Sequence, residues 1–337
     1  MRDKATLSTA DKQEAAMGVL KLANGFSVRT FQPPPDGFDP DKASDRQRIV
    51  HGIPRCPVAF GALEQRMRTK LKNFSLIEPK FEPRDQSKKL PNFRPAVAPQ
   101  TTNNWCGGIT FPPSGDPLKF VEGTWTMPAE VFPGSLTAGT INDVWYSASF
   151  WIGLDGDDGS SDVLHAGCEV DTMNVSVSGG GAYVNTQLKP FWEWRPAGSF
   201  YITNMPVANS DELTSLICMH QGSANQATIF LGNLTTEIGL WFQATAPAGV
   251  SLSGNCAEWI VEALAIDTPT PELAIYGQGI AFTDCNAGTV SGRSVDLSTG
   301  STINMVDSSN KPISQAFIGS PTEVTVSYVY ALHRGPA

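Results

Sequence analysis

Short apolar runs follow one another along the chain after about residue 100, and turn-forming residues separate them. The runs are rich in Val, Ile, Thr, Phe and Trp, and the intervening segments are rich in Gly, Asn, Asp and Ser. This alternation is typical of β-strands joined by turns. It predicts strands over residues 120–127, 144–154, 187–194, 214–219, 227–231, 240–244, 259–265 and 322–331. So many short strands indicate an all-β fold, a large antiparallel sandwich of two sheets.

The N-terminal residues have a different pattern, which predicts helices. Ser8 and Asp11 have the spacing of a capping box, and Gly25 is a helix-stop signal. Between them, one helical face would carry Ala15, Ala16, Val19, Leu20 and Ala23. A second apolar helical face would carry Phe60, Leu63, Met67 and Leu71. Prolines between residues 33 and 40 exclude regular helix there. We therefore expect a partly helical N-terminal segment before the sandwich.

Charge divides the chain at the same place. Residues 1–98 contain 18 Lys and Arg against 11 Asp and Glu, whereas residues 99–337 contain 6 against 22. We therefore divide the chain into a basic, Pro-rich segment, 1–98, and an acidic sandwich domain, 99–337. The net charge of −9 argues against nucleic acid or an anionic membrane as the main partner. No apolar run is long enough to span a bilayer, and no signal peptide is visible.

Several motifs of common enzyme classes are missing from the sequence. It contains no Gly-x-Ser-x-Gly, His-Glu-x-x-His, Asp-Thr-Gly or Asp-Ser-Gly motif, no P-loop and no dinucleotide fingerprint. We therefore expect no cofactor and no metal. The six cysteines are widely spaced, without a Cys-x-x-Cys pair. Their even number allows complete pairing, and buried free thiols are the alternative.

Three segments carry candidate chemistry. The first runs from Trp151 to Gly156 and is followed nine residues later by His165. The second is Phe-Trp-Glu-Trp-Arg-Pro at 191–196, and the third is Cys-Ala-Glu-Trp-Ile-Val-Glu at 256–262. Alternate side chains of a strand share a face, so Glu258 and Glu262 would line a surface or groove. By the same argument Trp192 and Trp194 share a face, which would be either the floor of a groove for an extended ligand or part of the core.

These segments, in this order and spacing, resemble the glutamic peptidases, or eqolisins, which are acid endopeptidases of fungi and bacteria. The resemblance runs through most of residues 103–290. It rests on Asn-Trp-x-Gly at 104–107, Trp-Ile-Gly-Leu-Asp-Gly at 151–156, Trp-Glu-Trp at 192–194, Asn-Leu-Thr-Thr at 233–236 and Ala-Glu-Trp-Ile-Val-Glu at 257–262. It implies two curved antiparallel sheets in a concanavalin-like jelly roll, with a substrate groove on the concave face.

The resemblance also implies a catalytic site. The family uses a Glu as general base and a Gln that orients the attacking water and stabilises the oxyanion. Glu258 matches the Glu, but the Gln position, ten residues after Asp155, holds His165. An imidazole can replace an amide as a donor, and as a cation it would stabilise an oxyanion. The substrate-binding residues implied are Trp105, Asp155, Gly156, Trp192, Glu193 and Trp194.

Other interpretations remain open at this stage. His165 in place of Gln is also what a catalytically inactive module would show, one that binds extended peptides or glycans in the groove. A jelly-roll glycoside hydrolase needs paired carboxylates, and the pattern begun by Glu169 and Asp171 ends at Asn174 instead of a carboxylate. The basic segment 1–98 is either a prosegment docked on the acidic domain or an unrelated extension. The family implies a polypeptide substrate and secretion.

Overall fold

The structure is a computed structural model that describes residues 16–35, 37–39, 42–51, 74–84, 100–133, 145–157, 162–176, 182–220, 222–264, 273–277, 279–307 and 309–329. The described residues include one short α-helix, α1, at Asp45–Val50. The strands in chain order are β1 Ala16–Lys21, β2 Ser27–Phe31, β3 Ser75–Leu76, β4 Phe81–Pro83, β5 Gln100–Thr102, β6 Trp105–Thr110, β7 Leu118–Thr126, β8 Tyr146–Leu154, β9 Val163–Ser176, β10 Ala182–Arg195, β11 Gly198–Ile202, β12 Glu212–Met219, β13 Gln226–Asn233, β14 Ile238–Thr245, β15 Ala257–Glu262, β16 Ile280–Thr289, β17 Ser294–Asp296, β18 Ser301–Val306, β19 Pro312–Ser320 and β20 Glu323–Tyr328.

These strands form two layers. In the first layer the hydrogen-bonded order is β2-β14-β13-β12-β7-β16. In the second layer it is β18-β6-β15-β8-β9-β10-β11-β4. Strands β20 and β19 connect β16 to β18. Strands β7, β12 and β13 of the first layer contact β8, β9 and β15 of the second, so the layers lie face to face. The expected antiparallel sandwich is confirmed.

Alternation along each strand builds the core between the layers. In β8, Phe150 and Ile152 point to the other layer, whereas Trp151 points away from it. In β15, Trp259 belongs to the core, whereas Ile260 belongs to a separate cluster on the outer face of the second layer. We call this outer face the site face. All eight predicted strands are present, with shifted ends, and the described residues add strands that were not predicted, among them β9.

The N-terminal segment departs from its prediction. Residues 16–21, assigned above to a helix, form strand β1, which pairs with β2 in a hairpin around a 3-10 turn at Ala23–Gly25. The helix prediction is therefore wrong there: pairing with β2 satisfies the backbone, and β2 in turn pairs with β14, so tertiary contacts override local propensity. The start of that helix and the predicted helix over 60–71 lie outside the described residues.

The N-terminal segment shares the hydrophobic core of the sandwich. Phe26 is fully buried and packs edge-on against Trp192 and Phe200. Val28 belongs to the same core cluster. Phe74 covers the outer face of the first layer, where it contacts Phe230. Apolar packing therefore crosses the boundary predicted from charge near residue 98, and the division into two parts stays a prediction.

The described cysteines are free thiols. Cys106, Cys168, Cys256 and Cys285 are buried, and Cys218 is half-buried. The structure thus favours the second of the two alternatives for these five residues, whereas Cys56 lies outside the described ranges. In the part of the chain that is described, no helix has both the length and the apolar character needed to cross a bilayer.

Replacement of Phe26 by Ala tests whether the N-terminal segment is part of the core. We expect the free energy of unfolding to fall by about 3–5 kcal/mol, because a fully buried aromatic ring leaves a cavity between Trp192 and Phe200. Urea denaturation followed by tryptophan fluorescence measures it. Phe317→Ala is the matched control, since Phe317 is 70% exposed and should change stability by about 0.5 kcal/mol or less. Equal effects of the two variants would contradict the shared core.

Candidate active site

One row of residues crosses four strands of the site face. Glu258 on β15 is in register with Gly153 on β8, which is in register with His165 on β9 and then Glu193 on β10. Two strand spacings separate Glu258 from His165, about 9–10 Å between Cα atoms. Between them lies a glycine, whose Cβ would stand 3.0 Å from that of His165. Gly153 therefore leaves the space between the two side chains free, and both catalytic candidates lie on one face.

Glu258 is a buried carboxyl among other acids. Its side chain is fully buried, and the thiol of Cys256 donates a 3.2 Å hydrogen bond to its Oε1. Its Oε2 makes no hydrogen bond within the described part of the chain. Burial raises the pKa of Glu258 well above its ordinary value, and the nearby charges of Asp157, Asp155 and Glu262 raise it further. Glu258 therefore keeps its proton to a higher pH than an exposed glutamate does.

His165 is held by two aromatic rings and by a contact at one nitrogen. Its ring stacks on the indole of Trp151, with centroids 4.4 Å apart, and meets Phe191 edge-on. Its Nε2 lies 3.3 Å from Oε2 of Glu193. Its Nδ1 has no hydrogen-bond partner among the described residues. The contact with Glu193 fixes the ring orientation, and Nδ1 is the nitrogen left for other chemistry.

Glu193 connects His165 to a residue of the N-terminal segment. Arg84 Nη1 lies 3.4 Å from Oε2 of Glu193, and Arg84 Nη2 lies 2.7 Å from Oε2 of Glu169. Burial alone would raise the pKa of Glu193, but His165, Arg84 and Arg195 lower it to about 2. Burial raises the pKa of Glu169 to about 7, although Arg84 opposes this. Glu193 is thus ionised in acid, whereas Glu169 takes up a proton there.

Asp155 holds the loop that leads into β15. It has a left-handed backbone, with φ of 62°, and it is fully buried. Its carboxylate accepts hydrogen bonds of 2.5–2.9 Å from the backbone N–H groups of Ser253, Gly254 and Asn255. Because this loop ends only a few residues before Glu258, Asp155 positions the catalytic candidate through the backbone. Direct contact of Asp155 with substrate stays a prediction.

The tryptophans predicted for the site divide between two faces. Trp105 is on the site face, where it packs edge-on against Trp151 and lies beside Gly156. Trp192 and Trp194 share a face, as predicted, but that face points into the core between the layers. The expectation that they form a groove floor is therefore corrected: Glu193, between them in sequence, faces the site instead.

Sequence reasoning missed several residues of the site face. Glu169 and Tyr201 contact each other there, since the Tyr201 hydroxyl donates to the Glu169 carboxylate at 3.2 Å. The alternation of His165 and Glu169 along a strand would have revealed Glu169, had β9 been predicted. Nothing local in the sequence marks Arg84. Within the described ranges, no three His, Cys, Asp or Glu side chains are arranged to hold a metal ion.

Comparison with known proteins identifies the family. Residues 103–328 match the model of the Peptidase A4 family. The match covers more than half of the chain, and the chain therefore belongs to this family of glutamic peptidases, the eqolisins. The family expected from the sequence motifs is thus confirmed. The replacement of the catalytic Gln by His165 stays a prediction.

Three relatives illustrate the similarity. Aspergillopepsin-2 of Aspergillus niger is 25% identical over 238 residues, which cover 68% of this chain and 78% of that protein. Scytalido-glutamic peptidase, solved with a peptide-based transition-state analogue, has a TM-score of 0.52 at 22% identity, covering 67% of this chain and 98% of its own. SCP-B, an eqolisin solved with the tripeptide Ala-Ile-His, has a TM-score of 0.50 at 21% identity, with the same coverage. These two structures support the fold alone.

Replacement of Glu258 by Gln tests the protonation of the buried carboxyl. Folded Glu258 keeps its proton above the pKa of the unfolded chain, so the wild-type protein loses stability as pH rises between these two pKa values. Gln does not titrate. We expect the two proteins to be equally stable near pH 4, and Glu258→Gln to gain about 1.4 kcal/mol of relative stability per pH unit above about pH 5.

Urea unfolding at pH 4, 5, 6 and 7 measures this difference. Glu130→Gln, at an exposed glutamate, is the control for the substitution itself. A stability difference between wild type and Glu258→Gln that does not change with pH would contradict a protonated Glu258.

Proposed function

We propose that the protein is an acid-active endopeptidase that hydrolyses peptide bonds with Glu258 and His165. The observation that carries this proposal is the row of Glu258, Gly153 and His165 on one face, in a chain of the glutamic peptidase family. The substrate would be a polypeptide. A family relative was solved with a peptide-based transition-state analogue, which supports a peptide ligand for the corresponding face here.

In the proposed reaction Glu258, which carries a proton in the free protein in acid, first loses that proton and then acts as a general base. It takes a proton from a water molecule, whose oxygen attacks the carbonyl carbon of the peptide bond. The resulting oxyanion accepts a hydrogen bond from His165. Glu258 then returns its proton to the nitrogen as the C–N bond breaks, which gives a carboxylic acid and an amine. A carboxyl with a raised pKa suits both steps, because it accepts the proton readily and can still release it.

His165 would do the work of the family's Gln in a different way. An amide donates a hydrogen bond at any pH, whereas protonated imidazole donates one and also carries a charge. That charge would stabilise the oxyanion and favour the ionised form of Glu258. Glu193 supports this role, because its low pKa keeps a negative charge beside Nε2 of His165 in acid.

The N-terminal segment would act as a docked prosegment. Its described part is bound by strand pairing of β4 with β11, by the ion pairs of Arg84 and by the burial of Phe26. Apolar packing thus adds to the charge complementarity between the segment and the acidic domain. Protonation of Glu169 in acid would weaken only one of the two ion pairs of Arg84, since Glu193 stays ionised. Removal of the segment would therefore need proteolysis as well as acid.

A second candidate function is a non-catalytic module that binds extended peptides. The observation in its favour is that Nε2 of His165 is already engaged by Glu193, while Glu258 is fully buried. Such a module would bind polypeptide in the same groove without turnover. Measurement of cleavage separates the two functions.

The catalytic proposal predicts the effect of two substitutions on proteolysis. With a denatured protein substrate at pH 3–4, Glu258→Gln should reduce turnover by about 10²–10⁴-fold, since the general base is lost. His165→Gln should retain or raise activity, because it restores the amide of the family, whereas His165→Ala should lose about 10²–10³-fold. Release of new amino termini, followed from pH 2.5 to 7, measures all three.

Glu130→Gln is the control, and it should match the wild type. Turnover that is equal in wild type and Glu258→Gln would exclude the mechanism. Binding of the denatured substrate without cleavage by any of the proteins would favour the second function.

A further inference from the structure

The guanidinium of Arg84 lies in an acidic pocket at the edge of the site face. The side chain is only 10% exposed. Its Nη2 contacts Glu169 at 2.7 Å, and its Nη1 lies 3.4 Å from both Glu193 Oε2 and Ser199 Oγ. Although burial lowers the pKa of Arg84, the charges of Glu169 and Glu193 raise it above its ordinary value. The pocket thus stabilises the charged form of the guanidinium group that it holds.

Aromatic rings form two walls of this pocket. The guanidinium carbon lies 5.1 Å from the ring centre of Phe191 and 5.8 Å from that of Tyr201. A planar, delocalised cation packs on such rings and reaches two carboxylates at once, which a compact ammonium cannot do as well. The pocket therefore fits arginine better than lysine.

The backbone around Arg84 binds in a manner that does not depend on its sequence. Strand β4 adds antiparallel to β11, with Pro83 opposite Phe200 and Phe81 opposite Ile202. The N–H of Arg84 donates to the carbonyl of Ser199 at 3.0 Å. Main-chain pairing at a sheet edge is a common way for proteins to bind extended peptides, with side-chain pockets giving specificity. Here the edge belongs to β11 and the pocket holds Arg84.

This pocket adjoins the proposed catalytic pair. Ser199 is in register with Glu193, and Glu193 with His165, so the row of Glu258, Gly153, His165 and Glu193 continues to the pocket. A single oxygen, Oε2 of Glu193, contacts both Arg84 and His165. A cation in the pocket is therefore coupled to His165 through one carboxylate.

We propose that this pocket is a subsite for an arginine side chain of the polypeptide substrate, which Arg84 fills in cis while the N-terminal segment is docked. That the ligand is a substrate rests on the proposed function, whereas recognition of arginine by the pocket does not. The docked segment thus blocks the groove, because it places in the pocket the same guanidinium group that the pocket would bind from a substrate. It follows that loss of the Arg84 side chain opens the pocket to arginine supplied in trans.

The first test uses a small probe that fills only the pocket. In Arg84→Ala, N-ethylguanidinium should bind saturably and raise the melting temperature, whereas neutral N-ethylurea should not. The double variant Arg84→Ala/Glu169→Gln should bind the cation at least tenfold more weakly. Arg293→Ala, which removes an exposed arginine paired with Asp116, is the matched control and should gain no binding. Equal responses to the two probes, or no response, would overturn the subsite.

Should Arg84→Ala fail to fold alone, Arg84→Gln provides the same measurements with a larger side chain. Restoration of folding of Arg84→Ala by N-ethylguanidinium, and not by N-ethylurea, counts as support.

The second test asks whether the arginine belongs to a polypeptide ligand. Octapeptides with one arginine at successive positions are compared with the same peptides carrying citrulline, which is isosteric and uncharged. Binding is measured in Arg84→Ala/Glu258→Gln, where cleavage plays no part. At one or two positions the arginine peptide should bind at least tenfold more tightly, and Glu258→Gln alone should show a smaller preference.

Cleavage of the same peptides by Arg84→Ala separates this inference from the proposed function. Binding that prefers arginine without any cleavage would refute the peptidase and leave an arginine-selective peptide site. Cleavage of arginine and citrulline peptides at equal rates, together with equal binding, would overturn the subsite and leave the peptidase intact.

Discussion

Burial of several carboxyl groups on one face of a β-sheet is the constraint on which the site depends. Desolvation favours the neutral form of each acid, and a nearby cation is needed to keep one ionised. Glu193 has such partners in His165 and Arg84, and its pKa falls to about 2. Glu258 instead has other carboxyl groups nearby, and its pKa rises well above the ordinary value. Two glutamates of one row are thus pushed in opposite directions, which is the condition for separate acid–base roles.

The sequence predicted correctly those features of the fold that depend on local patterns of residues. Alternation predicted the strands and placed Glu258 and Trp259 on opposite faces of β15, because a strand has a period of two whatever its surroundings. Alternation alone does not decide whether a face that carries two tryptophans is a core face or the floor of a groove, and Trp192 and Trp194 share such a face. Trp192 was therefore assigned to the groove, and the structure places it in the core. Which face of β10 lies in the core depends on packing partners such as Phe26, which is more than 160 positions away in the sequence.

Long-range contacts also explain the other misses. The helix expected at 16–21 is a strand because β2 finds a partner in β14, which no local propensity encodes. In the sequence, Arg84 does not differ from the other basic residues of its segment. Its position in the site comes from the pairing of β4 with β11 and from the ion pair with Glu169. Motif spacing nevertheless identified the family, since order and distance along the chain survive where individual contacts cannot be foreseen.

The burial of Phe26 has a consequence for how the chain acquires its fold. Its ring partners, Trp192 and Phe200, and the strand that pairs with β2, residues 243–245, are far along the sequence. During synthesis this segment is therefore made well before the residues that it packs against. Contacts of such sequence separation slow folding, because loop closure costs entropy before any packing rewards it. More than 200 residues must follow β2 before its partner strand β14 has been made.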